Sequence, residues 1–489
     1  MRKVIDLQME FWRKDIANIE FDLQSRDEIP KLLMGLQYIY SNSFIREAVF
    51  KILKQIVPKK NQETGRPGMD LWKILVLGTL RLNCNWDYDK VLEMANNHSK
   101  LREMLGHSKT DFDSQYALQT IRDNIVLLTP GILDEINQIV VKAGHSIISP
   151  NQDLQLKGSC DSFVVETDVH YPTDTNLLFD AMRKMISLIA IICSEVGVTA
   201  WRQSHHNIIK IKRLLRGIQR LKRSTSKDET KKQKRDQFII DKHQNYIAAC
   251  QGFISKAKET IHILREFELL SMGQELRLIT IEEYIGHAER QIDQIRRRVL
   301  FDEKIPHEEK VFSIFQPHTE WISKGKAGVP QELGLKVCVL KDQYGFLLHH
   351  RVMQQQTDDK VAVDMVQEAK DRFANLVGCS FDKGFYSPEN KSQLPEILDY
   401  VVLPKKGRLS VKDKEIEQSD EFVESRRKHS AVESSINALE NHGLDRCLDH
   451  GLHGFERYVA LSVLARNIQI LGHVLQQKEL MKQKRRKAA

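Results

Sequence analysis

The sequence lacks a long apolar run and closely paired cysteines. No run in its 489 residues approaches the roughly 18–20 apolar residues needed to cross a bilayer. The amino terminus lacks the apolar stretch of a signal peptide. The seven cysteines are scattered without a CxxC pair, which favours reduced thiols over disulfides or a zinc site. These absences predict a soluble, cytoplasmic protein that does not associate with a membrane.

The sequence also has little net charge and no nucleotide-binding phosphate loop. The segment 325–328 does not fit the GxxxxGK[ST] spacing, so dependence on ATP is not expected. The net charge is +8, from 74 basic and 66 acidic residues, and where the charges lie therefore matters more than their sum. Two basic runs stand out: Lys210 to Arg235, called here the basic segment, and 482–487 at the carboxyl end. Both runs could bind the phosphate backbone of a nucleic acid. Alternatively, the first is a solvated helix face and the second a frayed tail.

Periodicity predicts an α/β core that is interrupted by helices. Residues 1–145 carry apolar residues at helical spacing and are expected to form a helical domain for DNA binding or dimerisation. The β-branched stretch Ser162 to Thr167 predicts a strand. Residues 176–304 contain little Gly or Pro and predict a long helical insertion, and 476–489 form a basic tail.

The remaining chain alternates between strand and helix patterns. Strands are predicted at 310–315, 334–340, 346–353, 379–382 and 400–403, and helices at 361–377, 430–440 and 457–476. A polar linker is expected before the helix at 430. The predicted fold is therefore an α/β core with a mixed sheet, formed by 146–175 and 305–475.

Three carboxylates lie where predicted strands and a helix would bring acidic side chains together. Asp161 opens the first strand, Asp382 ends a short strand before Gly384, and Glu433 lies in the first turn of the helix at 430. Two-metal cleavage of a phosphodiester needs hard oxygen ligands from several elements. Since the chain has 66 acidic residues, spacing alone leaves open that each is a surface carboxylate or a helix cap.

At these residues the chain resembles the DDE transposases of bacterial insertion sequences. The resemblance is carried by blocks around each carboxylate and by one further stretch: 161–174 with Leu177 and Leu178, 381–387 with Asn390, 427–433 with 441–446 and then Asn467 and Gly472, and 318–326. It implies a ribonuclease-H-like catalytic core in which Asp161, Asp382 and Glu433 hold two Mg²⁺ or Mn²⁺ ions. Such enzymes hydrolyse DNA at the transposon ends and join the 3′-hydroxyls to target DNA.

The resemblance also implies partners and a location. DNA would be bound as terminal inverted repeats and as target, by a homodimer or a larger synaptic complex in the bacterial cytoplasm, associated with the nucleoid. Candidate DNA contacts are Arg426, Arg427, Lys324, Lys326, Lys383 and Trp321, on which a flipped base could stack. A Trp packed beneath a loop and solvated lysines are the alternatives for these residues.

Two departures limit what the resemblance transfers. Better-studied relatives have Arg four residues before the last carboxylate and Lys seven after it, where this chain has His429 and Glu440. Their phosphate-binding roles therefore do not carry over, and Arg426 or Arg427 is the expected substitute. Asp168 is the alternative to Asp161 in the first block.

Two other functions fit the same residues. A catalytically inactive or domesticated transposase would act as a DNA-binding protein only. A ribonuclease-H-like nuclease would cleave DNA but would not join a 3′-hydroxyl end to a target.

Overall fold

The structure is a computed structural model that describes residues 3–4, 14–57, 68–108, 111, 113–150, 154–223, 228–266, 270–323 and 331–488. The chain divides into two compact units. Met1–Asp168 and Glu320–Ala489 form the first, called here the sheet unit. Val169–Thr319 forms the second, called the helical unit.

The helices and strands are numbered in chain order. The helices are α1 (Glu28–Ser41), α2 (Ser43–Leu53), α3 (Leu71–Asn83), α4 (Tyr88–Asn97), α5 (Ser99–Met104), α6 (Leu118–Ile125), α7 (Pro130–Ile148), α8 (Asp174–Glu195), α9 (Ser204–Lys222), α10 (Glu229–Arg265), α11 (Met272–Leu300), α12 (Asp358–Arg372), α13 (Pro388–Ile397), α14 (Val411–Glu417), α15 (Asp420–His429), α16 (Ala431–Leu439) and α17 (Leu452–Ala488). The strands are β1 (Leu156–Thr167), β2 (Glu320–Ser323), β3 (Gln331–Lys341), β4 (Leu347–Met353), β5 (Leu376–Phe381), β6 (Tyr400–Val402) and β7 (Arg446–Cys447).

Within the described residues, seven strands form one mixed sheet in the sheet unit. β1 lies at its centre, antiparallel to β3 on one side and parallel to β5 on the other. β6 continues the sheet parallel to β5, and β4 pairs antiparallel with β3 along Lys336–Lys341. The order β4–β3–β1–β5–β6 therefore places β1 and β5 side by side. The short β2 and β7 add to the other ends of β3 and β1.

The central helix α17 packs against α1, α3 and α7. Glycines permit its close approach to α1, because a Cβ at Gly472 would lie 1.8 Å from the carbonyl oxygen of Lys31. The buried Asn467 of α17 hydrogen-bonds both the N–H and the C=O of Leu347 and donates to Asn137 Oδ1 at 2.7 Å. These bonds fix α17 and α7 against β4, since a buried amide left unpaired would be costly.

The helical unit is built from α8 to α11 around its own apolar core. A capping box at Ser271 and Gln274 fixes the start of α11, and the indole of Trp201 donates to Thr260 Oγ1 at 3.0 Å. The basic segment covers the exposed side of α9 and the start of α10. Its apolar residues Ile211, Leu215 and Ile218 face the core.

The predicted α/β fold with a mixed sheet is confirmed, and several element boundaries were wrong. Residues 310–315 form no strand, because Val311 and Ile314 pack on the helices of the helical unit instead of pairing with a neighbour. The expected linker before 430 is helical over α14 and α15. α17 is one continuous helix from Leu452 to Ala488, where the sequence predicts a helix that stops at 476.

Among the described residues, one helix is long and apolar enough to cross a membrane by length and composition, Leu452–Arg486 within α17. Of its most apolar window, 72% is buried inside the protein, as in the core helix of a soluble protein. The pair α6 and α7 would pass the same test only as a single span, and it bends by 79° between the two helices.

Candidate active site

Asp161 and Asp382 occupy matching positions on neighbouring parallel strands. Cys160 of β1 pairs in register with Phe381, the last residue of β5. Asp161 is the next residue of β1, and Asp382 directly follows β5 with an extended backbone. Adjacent strands lie about 4.8 Å apart, and in-register side chains of parallel strands point to the same face. The sheet therefore presents both carboxylates side by side.

Glu433 comes to the same region on a helix. α16 packs against β1 through a buried side that includes Val432 and Ile436. Glu433 lies in the first turn of α16, is exposed, and follows directly on the buried Val432. Val432 and Ile436 thus anchor this helix on the core.

Burial and the neighbouring carboxylates act on Asp161. Burial, together with the negative charges of Asp382, Asp358 and Glu433, raises the pKa of Asp161 from 3.8 to about 6. The backbone N–H of Ser162 donates to Asp161 Oδ1 at 2.7 Å and acts in the opposite direction. Asp382 and Glu433 accept no hydrogen bond on their side chains from any residue that the structure describes. Their carboxylates are thus available to an exogenous cation.

Asp358 is a fourth carboxylate of the site, which the sequence reasoning missed. It is the first residue of α12, and its Oδ1 accepts a 2.6 Å hydrogen bond from Ser162 Oγ. Lys336 Nζ donates to its Oδ2 at 3.1 Å. The same oxygen lies close to Gly384, where an added Cβ would be 3.1 Å away from it. The helix was predicted to begin at Val361, and the start signal Thr357-Asp358-Asp359 would have located Asp358.

His429 is a second residue whose place the sequence did not indicate. As the last residue of α15, it places its imidazole Nδ1 3.0 Å from Ser380 Oγ, which is also 3.0 Å from Ser159 Oγ. Burial lowers the pKa of His429, whereas the charges of Asp382 and Glu433 raise it. The imidazole thus lies at the row of Ser159 and Ser380, two residues along the strands from Asp161 and Asp382.

A cavity of about 440 Å³ lies along the same strands. Its wall includes Ser159 and Ser380, each two residues before a carboxylate and hence on the same face of the sheet. Lys157, Lys341 and Lys428 also line it. The cavity gives the carboxylate site a positively charged neighbour.

The residues expected to contact DNA are only partly brought together. Lys383 directly follows Asp382, and Arg426 and Arg427 lie on α15; all three are exposed. Trp321 lies on β2, paired with Leu333, six residues along β3 from the partner of Asp161. At about 3.3 Å per residue that is roughly 20 Å, so Trp321 is remote from the carboxylates. Lys324 and Lys326 lie outside the described residues.

The alternative first carboxylate, Asp168, lies beyond the end of β1. It is exposed and lies 4.0 Å from Arg446, which also binds Glu166. Seven residues separate it from Asp161, or about 23 Å along an extended chain. The geometry therefore favours Asp161.

The carboxylates of Asp161, Asp382 and Glu433 are suitable ligands for a divalent cation, but their side chains do not converge on one point. Carboxylate oxygens are the ligands that Mg²⁺ prefers. The pKa of Asp161 is raised first by burial and then by the negative charges of Asp382, Asp358 and Glu433, which a bound cation would offset. Among the residues that the structure describes, no group of three or more His, Cys, Asp or Glu side chains is arranged to hold a metal ion. A bound cation would therefore have to draw in the exposed Asp382 and Glu433.

Comparison with known proteins gives no relative, because no family model, no curated protein and no solved structure matches the chain.

Proposed function

We propose that the chain is a DNA transposase of an insertion sequence, with Asp161, Asp382 and Glu433 as the metal-binding carboxylates of its active site. The observation that carries the proposal is the matched position of Asp161 and Asp382 at the level of the Cys160–Phe381 pair, with α16 bringing Glu433 beside β1. The sequence blocks described above surround these same three residues.

The strand order supports a ribonuclease-H-like core. Three antiparallel strands, β1, β3 and β4, continue through β1 into the parallel β5 and β6. In a core of this kind one acidic residue belongs on the central strand and one at the end of its parallel neighbour, and Asp161 on β1 and Asp382 directly after β5 fit that pattern. The helical unit then occupies the connection between β1 and β2.

The metal ions, when bound, would supply Lewis-acid stabilisation of the attacking and leaving oxygens. Asp161 is fixed by its strand and by Ser162, whereas Asp382 and Glu433 can turn to complete the coordination. Lys336 and Ser162 hold Asp358 in place behind this set. The basic segment and the lysines of the cavity would attract the DNA backbone.

The second candidate is a DNA-binding protein that has lost catalysis. It is favoured by one observation, that the described carboxylates are not arranged to hold a metal ion. It predicts binding of the transposon ends without cleavage in Mg²⁺ or Mn²⁺.

A cleavage assay on DNA that flanks the reading frame tests the proposal. Short inverted repeats are expected there, and duplexes that carry them should be bound and cut in Mg²⁺. Asp161→Asn, Asp382→Asn and Glu433→Gln should each reduce cleavage by about 10³-fold or more while end binding changes little, because each loses a metal ligand worth several kcal/mol.

Matched controls come from the same unit. Glu396→Gln and Asp399→Asn remove exposed carboxylates at and just after the end of α13 and should leave cleavage unchanged. Flanks without inverted repeats, or an Asp382→Asn protein that still cleaves in Mg²⁺, would refute the assignment. Binding without cleavage by the unaltered protein would establish the second candidate.

A further inference from the structure

The cavity of about 440 Å³ contains a buried lysine without a countercharge. Lys341 lines the cavity, and only 7% of its surface is exposed. Its Nζ donates one hydrogen bond, to the carbonyl oxygen of Ala431 at 2.8 Å, and forms no ion pair with the residues that the structure describes. Because an ammonium group can donate three hydrogen bonds, two remain for a ligand.

The neighbouring carboxylate, that of Asp342, is directed to other partners. Its Oδ1 accepts hydrogen bonds from the backbone N–H groups of Tyr344 and Phe346, and its Oδ2 lies 2.5 Å from His145 Nε2. Burial lowers the pKa of Lys341, and the charge of Asp342 offsets this effect only in part. A buried charge is costly unless it is paired, so the cavity is suited to an anion.

Two further lysines add positive charge to the cavity. Lys157 and Lys428 both line it. Lys428 is paired with Glu424 at 2.7 Å, whereas Lys157 Nζ has no hydrogen-bond partner in the part of the chain that the structure describes. A phosphate monoester fits this environment, because it carries up to two negative charges and three acceptor oxygens.

The rest of the cavity has room for more than a phosphate group. Gly378 of β5 and Tyr400 of β6 are paired, both line the cavity, and a Cβ at Gly378 would lie 3.2 Å from Tyr400 Cβ. The Tyr400 hydroxyl donates to Ser425 Oγ at 2.8 Å, which fixes the ring against α15. A cavity of this volume is typical of small-molecule sites, and an aromatic ring can stack on a base.

We propose that this cavity binds a free mononucleotide, with the phosphate at Lys341 and Lys157 and the base against the ring of Tyr400. A phosphate loop is not required, because the lysine side chains supply the positive charge. Since Lys341 is buried, a single nucleotide can reach it and a rigid duplex cannot. None of the three proposed metal-binding carboxylates lines the cavity, so this site is separate from theirs.

Isothermal titration calorimetry of the full chain with AMP in EDTA tests the site without metal ions, and hence independently of the proposed function. AMP should bind at low salt. Adenosine and inorganic phosphate should each bind at least about 10-fold more weakly, because each lacks part of the contacts.

Two positions separate the phosphate contact from the base contact. Lys341→Met keeps the length of the side chain without its charge and should weaken AMP binding by about 10-fold or more. Tyr400→Leu should weaken it by about 5-fold or more, whereas Tyr400→Phe keeps the ring and should bind AMP like the unaltered protein.

Lys370→Met is the matched control. Lys370 Nζ also donates to a backbone carbonyl oxygen, that of Ile397, but Lys370 is not part of the cavity lining. This variant should bind AMP with unchanged affinity. In thermal unfolding, AMP should stabilise the unaltered protein and Lys370→Met and should have little effect on Lys341→Met.

Absence of AMP binding by the unaltered protein, equal affinities for AMP and adenosine, or an unchanged affinity in Lys341→Met would each overturn the inference. Binding of a 5′-phosphorylated single-stranded oligonucleotide but not of AMP would assign the lysines to DNA alone and would also overturn it. If Lys341→Met fails to fold, Lys157→Gln decides, because Lys157 is exposed. That variant should bind AMP about 3-fold more weakly or worse, and an unchanged affinity would contradict the inference.

Discussion

Replacing Asp161 by Asn should make the protein more stable at neutral pH while removing its activity. Asp161 is half-buried, and its pKa is raised from 3.8 to about 6 by burial and by the charges of Asp382, Asp358 and Glu433. An Asn side chain keeps the acceptor for the Ser162 N–H and carries no charge. The substitution removes the unfavourable charge without opening a cavity.

The magnitude follows from linkage. A shift of about two pKa units corresponds to about 3 kcal/mol at 1.36 kcal/mol per unit, an upper bound because the shift includes interactions with exposed neighbours. Between pH 4 and 6 the folded protein binds the proton more tightly than the unfolded chain does. Protonation of Asp161 therefore stabilises the folded protein. This stabilisation is complete below about pH 4 and is lost as pH rises through 6.

Urea unfolding at pH 4.5, 6 and 7.5 measures the effect through tryptophan fluorescence. Among the described residues, Trp72, Trp86 and Trp321 belong to the sheet unit and Trp201 to the helical unit. Asp161→Asn should be more stable than the unaltered protein by about 1–3 kcal/mol at pH 7.5, with a smaller difference at pH 4.5. Adding Mg²⁺ should stabilise the unaltered protein more than the variant, because the cation replaces the missing countercharge. An Asp161→Asn protein that is equally or less stable at pH 7.5, when the exposed control Asp399→Asn is neutral, would refute the reasoning.

Two further predictions concern the framework and the DNA surface. Gly472→Ala should destabilise the sheet unit by about 1–3 kcal/mol in urea unfolding, because its Cβ would lie 1.8 Å from the Lys31 carbonyl oxygen; Gly252→Ala, with open space around it on α10, should be neutral or slightly stabilising. An unchanged Gly472→Ala protein would contradict the close packing of α1 and α17. Replacing Lys210 and Lys212 by Gln should reduce the slope of log affinity against log salt concentration by about 1.8 for end DNA, whereas an unchanged slope would exclude α9 as a DNA contact.

The sequence predicts the general architecture because its periodic patterns are strong. The β-branched and aromatic residues of Ser162 to Thr167 and the scarcity of Gly and Pro over 176–304 are local features of the sequence, and both elements are present in the structure. The apolar residues of 310–315 mislead, since β-branched residues favour a strand only where a neighbouring strand is available. Val311 and Ile314 pack on helices instead.

The site is predictable only where chemistry and local context coincide. Asp382 and Glu433 border recognisable elements, and Asp161 was one of several acidic residues in its block. What selects it is the register of β1 against β5, a long-range pairing that local patterns do not encode. Asp358 and His429 were missed for the same reason, because each reaches the site through contacts with residues distant in sequence, Ser162 and Ser380.

The central claim is that Asp161, Asp382 and Glu433 form a metal-dependent strand-joining centre. Its most direct test is the joining of a pre-cut transposon end to target DNA in Mg²⁺, with a 3′-hydroxyl end compared with a 3′-deoxy end. The unaltered protein and Asp399→Asn should join only the hydroxyl end, and Asp382→Asn should join neither. Joining by Asp382→Asn at the unaltered rate, or cleavage by the unaltered protein without any joining, would contradict the account.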